Sequence, residues 1–178
     1  MHNTVMSKTS IFLAHAPIFI IFLLLTQSSF VQSDASLISN ICKQTPNYNL
    51  CVTSLNSDPR SAKADTTGLA LIMVDIIKAR ATASLNFIRH QYHKSPRLKK
   101  QLTSCAHGYD AILTLDIPEA YEALQKGVPK FAQDAANDAA VEANSCEGGF
   151  HGNSPMKKLN VLVHDTSAVA SAVIRLLL

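Results

Sequence analysis

The sequence predicts an all-α fold, an N-terminal helical hairpin packed on an up-down-up-down four-helix bundle. Three observations predict it. Apolar residues recur every three or four positions through most of the chain beyond residue 34, and no stretch alternates with the period of two that a strand needs. Proline and glycine punctuation at Pro46, Pro59, Pro96, Gly127 and Pro155 cuts the periodic stretch into helices joined by short linkers. The 178 residues, 47% hydrophobic and 16% charged, suffice for one domain and are too apolar for a disordered tail.

In residues 35–43, Leu37, Ile38 and Ile41 stand at helical spacing, and in 49–55 so do Leu50, Val52 and Leu55, with Thr45-Pro46-Asn47 between them. Residues 34–60 are therefore the hairpin, with one cysteine in each arm. After Asp58-Pro59-Arg60, Asp65 caps a long helix. Leu69, Ile72, Ile76, Ala83 and Phe87 form one stripe on it, with Met73, Ile77, Leu85 and Ile88 alongside. Ser95-Pro96 ends that helix, because the residue before a proline resists the helical conformation. Leu98, Leu102, Cys105, Tyr109, Ile112 and Leu113 mark a second long helix. Pro118 should kink or interrupt it ahead of Tyr121 and Leu124, and Gly127-Val128-Pro129 stops it.

The third long helix, 131–146, is rich in alanine (Ala132, Ala135, Ala136, Ala139, Ala140, Ala143), so a neighbouring helix can approach closely. Residues 147–152 read as a loop, and Ser154-Pro155 opens the last helix with Pro155 in its first turn. Leu159, Leu162, Thr166, Val169, Val173 and Leu176 are its expected apolar stripe, and 61–178 holds the whole bundle.

Residues 11–25 (IFLAHAPIFIIFLLL) follow Lys8 and have the shape of a secretory core, broken by Pro17 and followed by small residues at Ser33 and Ala35. Residues 1–33 are thus expected to be a signal peptide, and no later apolar run reaches membrane-spanning length, so no membrane attachment is expected after cleavage. The formal charge of +3 becomes +2 once Lys8 is removed, and the scattered bases do not form a stripe for nucleic acid. In an oxidising compartment Cys42, Cys51, Cys105 and Cys146 default to two disulfides. Of three connectivities the most local joins Cys42 to Cys51 and Cys105 to Cys146, each bridge contributing about 2–4 kcal/mol. No metal site is expected, since there is no CxxC and no histidine at ligand spacing.

Little in the sequence could perform chemistry. His90 and His93 read as a solvated helix face, and the pairs Glu119/Glu122 and Asp134/Asp138 as surface charge. His164-Asp165 near Ser167 points in divergent directions on one helix and makes no triad. No cofactor motif is present and no enzyme is indicated.

The run from Ile41-Cys42-Lys43-Gln44-Thr45-Pro46 through Leu50-Cys51 and Asn56-Ser57-Asp58-Pro59-Arg60 to the apolar C-terminus resembles the plant invertase and pectin methylesterase inhibitor family. Gly127-Val128-Pro129-Lys130-Phe131-Ala132, followed by Asp134-Ala135-Ala136 and Cys146, looks like the invertase inhibitor branch, the cell wall or vacuolar inhibitors of beta-fructosidase. Val128 departs from the acidic or polar residue that many relatives carry before the proline.

The resemblance implies a secreted inhibitor with the two consecutive disulfides, found in the apoplast or vacuole. It also implies that Pro129, Lys130 and Phe131 enter the sucrose-binding cleft of an acid invertase in a 1:1 complex. By residue type alone Pro129 is a helix starter, Lys130 an exposed base and Phe131 a core anchor. Two other functions compete. One is inhibition of pectin methylesterase through the helices at 65–94 and 97–115. The other is a small-ligand carrier or structural bundle without an enzyme target.

Overall fold

The computed structural model describes residues 36–178, so the expected signal peptide lies outside the described residues. A helix over 36–42 (α1) and Tyr48–Asn56 (α2) form the hairpin. The bundle consists of Thr66–Lys94 (α3), Lys99–Ala111 (α4) running into Ile117–Gln125 (α5), Pro129–Gly148 (α6) and Lys157–Arg175 (α7). No strand occurs among the described residues. Both local disulfides are formed, Cys42–Cys51 with a Cα separation of 5.5 Å and Cys105–Cys146 with 4.7 Å.

Capping follows the sequence closely. Asn47 Oδ1 accepts from the Leu50 N–H at 3.1 Å, and Asp65 Oδ1 accepts from the Gly68 N–H at 2.8 Å. Between these helices a 3-10 turn, Pro59–Lys63, carries Arg60, whose Nη2 donates to Asp58 Oδ2 and Asp75 Oδ2, each at 2.6 Å. Tyr121 of α5 donates its hydroxyl to the other oxygen of Asp75. The hairpin's exit, α3 and α5 are therefore tied at one carboxylate.

The core is filled by Leu69, Met73, Ile77 and Ile88 of α3, Leu102, Tyr109 and Ile112 of the second rod, Met156 just before α7, and Val163 and Ile174 within it. α6 contributes Ala132, Ala135, Ala136, Ala139 and Ala143, all buried, and packs along α7. Tyr109 Oη donates to Asn160 Oδ1 at 2.8 Å, and Asn160 Nδ2 donates to Glu147 Oε2 at 2.7 Å, a polar chain from the core to the end of α6. Burial pushes the Tyr109 hydroxyl up to about 12, so it stays a donor.

Four expectations are refined. The interruption expected at Pro118 is a π-helical turn, Ile112–Asp116, ahead of the proline. There the Ile117 N–H reaches back five residues to the Ile112 carbonyl, and the rod stays continuous into α5. Glu147 and Gly148 belong to the last turn of α6 rather than to a loop, because the Asn160 side chain anchors Glu147. Pro155 lies in a turn before α7, where Ser154 Oγ accepts from the Met156 N–H at 3.0 Å and delays the helix to Lys157. Leu162 is exposed and Ala83 also faces solvent, while Val163 and Ala81 take the buried positions. The rest of both stripes is buried or half-buried as the hydrophobic pattern predicts, so each departs from it at one position.

Candidate functional site

The corner between α5 and α6 is built by its backbone. The Gly127 N–H donates to the Leu124 carbonyl at 3.2 Å and the Val128 N–H to the Ala123 carbonyl at 2.9 Å, the paired bonds of a Schellman stop. That stop needs a left-handed residue, and Gly127 has φ +68°. Two residues later Pro129 occupies the first helical position of α6, where its fixed φ and missing N–H cost nothing. The chain is thus locked on both sides of Val128.

The side chains at this corner point outward. Phe131 is 57% exposed and Val128 42% exposed. Phe131 is therefore not the core anchor that its residue type suggests. The buried face of α6 runs through Ala132, Ala135 and Ala136, and position 131 lies a third of a turn away from it. Phe131 and Val128 border an open groove of about 390 Å³, whose other lining residues are Glu119, Glu122, Ala123 and Lys126 of α5 and the turn after it. Lys126 pairs with Glu122 across the rim, and Lys130 Nζ pairs with Asp134 Oδ1 at 2.5 Å on the outer face of α6. The sequence reading missed the α5 rim, although the spacing of Glu119, Glu122, Ala123 and Lys126 places them on one helical face.

The other candidate residues do not converge. His90 and His93 are exposed near the end of α3, with His93 edge-on to Tyr92 at 5.7 Å. His164 Nδ1 lies 2.9 Å from Asp165 Oδ1, but Ser167 is fully buried and makes no partnership with them. No cluster of three potential metal ligands occurs among the described residues.

Residues 36–174 match the plant invertase/pectin methylesterase inhibitor family. The chain belongs to that family. It is 51% identical over 141 residues to the cell wall / vacuolar inhibitor of fructosidase 1 of Arabidopsis thaliana, covering 79% of this chain and 69% of the relative. It is also 35% identical over 131 residues to a pectinesterase inhibitor of Actinidia deliciosa, covering 72% of this chain and 70% of that protein. A solved mutant form of a pectin methylesterase inhibitor from Arabidopsis shares the fold, with a TM-score of 0.68 at 24% identity, over 78% of this chain and 95% of that one. The protein is thus an enzyme inhibitor rather than an enzyme.

A second feature of the inhibitor is electrostatic. Asp116, in the π-helical turn, has one carboxylate oxygen buried without a hydrogen-bond partner among the described residues, and Asp138, Glu142 and Glu119 are near enough to act on it. Burial first, and then these three acids, push its carboxyl up to about 7. Glu119 and Asp138 are exposed, as expected from their spacing, and act on Asp116 through space. A folded-state value above the unfolded one means that the folded protein holds this proton more firmly. Stability is then greatest in acid and falls as the pH rises from about 4 toward 7.

The full shift corresponds to about 4 kcal/mol, and solvent screening of a half-exposed group reduces the expected effect to about 1–2 kcal/mol. Asp116→Asn should raise the urea midpoint at pH 7.5 and leave it nearly unchanged at pH 4. An equal effect at both pH values would show that the cluster does not strain the fold.

Proposed function

We propose that the protein inhibits an acid invertase by seating Pro129, Lys130 and Phe131 in the enzyme's sucrose-binding cleft. The observation that supports this reading best is the exposure of Phe131 and Lys130 side by side on a corner that Gly127 and Pro129 hold rigid. A pre-formed corner limits the ordering entropy lost on binding. A retaining glycosidase presents two carboxyl groups about 5 Å apart, a natural counterpart for an ammonium group. In the free inhibitor Lys130 pairs, among the described residues, with Asp134, an exposed i,i+4 pair of about 0.3–0.5 kcal/mol, so it is readily released to a stronger acceptor. The likeness to a fructosidase inhibitor supports the same target class.

Cleavage of residues 1–33 and delivery to the apoplast or vacuole complete this reading, with a 1:1 complex as its stoichiometry. The test is titration of a purified acid invertase and a purified pectin methylesterase with the secreted protein at pH 5. Loss of sucrose hydrolysis alone supports the proposal. Loss of demethylation alone transfers the function to the bundle face formed by α3 and α4, a reading favoured by the 35% identity to a pectinesterase inhibitor.

Inhibition should be tighter at pH 5 than at pH 7, because protonated histidines raise the positive charge that approaches a negative cleft. No histidine lines the corner groove, so the inhibitor's share is a long-range field effect. Raising the salt concentration should therefore shrink the difference between the two pH values. A ratio of inhibition constants that is unaffected by salt would assign the pH dependence to the enzyme alone.

A further inference from the structure

The end of the bundle opposite the Pro129 corner concentrates positive charge that the inhibitory reading does not use. Between Asp75 and Asp110 the sequence contains no acidic residue, yet it holds Lys78, Arg80, Arg89, Lys94, Arg97, Lys99 and Lys100. α3 ends and α4 begins at this end of the bundle, so Arg89 and Lys94 come beside Arg97, Lys99 and Lys100. The Cys105–Cys146 bridge ties the first half of α4 to the last turn of α6. The turn from α6 to α7 therefore lies at the same end and adds Lys157 and Lys158. All seven of these terminal bases are exposed, and none forms an ion pair among the described residues.

The nearby acids do not neutralise this surface. Asp110 lies eleven residues beyond Lys99, about 16 Å along α4, and the acids nearest Lys157 and Lys158, namely Glu147 and Asp165, are two against seven bases. Helix stability does not explain the arrangement either. Leu98, which precedes α4, supplies no side-chain cap, and the first turn holds no acid but two lysines, where the helix dipole opposes positive charge. The lysines there, unpaired by any acid among the described residues, favour an anion. Between α3 and α4 lies an open groove of about 330 Å³ lined by Ile88, Arg89, Tyr92, His93, Thr103 and Ala106, with Lys99 Nζ 5.2 Å from the Tyr92 ring centre.

We propose that this basic end binds an extended polymer of carboxylate-bearing sugars, a polyuronate. The cations are spread over the end of α3, the start of α4 and the start of α7, which packs directly on α3, a span of about one to two helix spacings or 10–20 Å, so no single small anion could reach them all. Lysine predominates, and its compact point charge suits single carboxylates spaced along a chain, whereas paired phosphate recognition favours the arginine fork. Half-buried Tyr92 supplies an aromatic surface beside the charges, against which the C–H face of a sugar ring can rest. α6, with 20 residues, separates this end from Pro129 by about 30 Å, so the polymer and the target enzyme would not compete. The inhibitor would be held on a polyanionic matrix with its Phe131 corner free.

The test is calorimetric titration of de-esterified oligogalacturonate into the secreted protein at pH 5 and low salt. Binding should vanish with the fully methyl-esterified oligomer and weaken about tenfold or more in the combined variant Lys94→Gln, Arg97→Gln, Lys99→Gln, Lys100→Gln. Lys130→Ala should bind the oligomer normally. Circular dichroism identifies a misfolded variant, in which case Lys157→Gln with Lys158→Gln serves in its place and should also weaken binding. Equal affinity for esterified and free-acid oligomers overturns the proposal, as does unchanged binding by the folded variants. Equally tight binding of duplex DNA or anionic phospholipid vesicles would overturn it as well, by showing only a non-selective charged surface.

Discussion

Lys130→Ala is expected to weaken inhibition of acid invertase by about 2–5 kcal/mol, the range for removing one partner of a buried, hydrogen-bonded charge pair. That corresponds to a rise of about thirtyfold to several thousandfold in the inhibition constant. The substitution should leave the fold intact. The Lys130 side chain is 63% exposed, its partner Asp134 is 47% exposed, and neither contributes to the core. A loss of inhibition without a change in melting temperature would therefore report on the interface alone.

Lys130→Arg should recover only part of the loss, because a planar fork does not replace a point charge in a confined cleft. Phe131→Ala should also weaken inhibition, since a side chain 57% exposed in the free protein has area left to bury against the enzyme. If Lys130→Ala costs less than about 0.5 kcal/mol, the charge pair is not buried, and the contact lies elsewhere on the bundle. Inhibition of pectin methylesterase, where present, should be indifferent to Lys130 and sensitive to changes on the outer faces of α3 and α4.

The architecture was readable because helical period, caps and breakers all agreed. Asp65 announced the start of α3, Ser95-Pro96 its end, and Gly127 with Pro129 the corner. What escaped the sequence lies in three-dimensional geometry. Leu162 looked like a core residue and faces solvent, because the buried face of α7 is chosen by the neighbouring helices and runs through Asn160, Val163 and Ser167. Asn160 illustrates why hydrophobicity could not find that face: it is a polar residue buried because Tyr109 and Glu147 satisfy it.

Phe131 is the converse, a large apolar residue left outside because alanines alone let α6 approach its neighbours. The acidic surroundings of Asp116 and the basic end at Lys94–Lys100 were equally hidden. Each gathers charges from different helices, and those charges look scattered along the chain. The Pro129-Lys130-Phe131 corner was located by its resemblance to a family motif, and the structure adds the backbone reason that it stands rigid and exposed.

The second large effect concerns the two bridges, which should contribute unequally. Cys105 and Cys146 are 41 residues apart and Cys42 and Cys51 only 9. On the chain-entropy account, closing the longer loop stabilises by about 4 kcal/mol and the shorter by about 2.6 kcal/mol. The location of the bridges widens the gap. All four cysteines are buried, but Cys105–Cys146 joins α4 to α6 across the bundle, with Cys146 Sγ 3.9 Å from Met156 Sδ beneath the start of α7. Removing it loosens the entry to α7 and the Tyr109–Asn160–Glu147 chain beside it.

Cys42–Cys51 staples only the hairpin, which the bundle can retain through the buried Leu55 and the Arg80 Nη2 to Ser54 Oγ bond of 3.3 Å. Paired alanine substitution of Cys105 and Cys146 should therefore lower the urea-unfolding free energy by about 3–5 kcal/mol, against about 2–3 kcal/mol for Cys42 and Cys51. Both variants should be measured at one pH, so that the contribution of Asp116 is common to both. A larger loss from the hairpin pair would mean that α1 and α2 hold the bundle together, and that folding proceeds from the hairpin inward rather than from the packed helices outward.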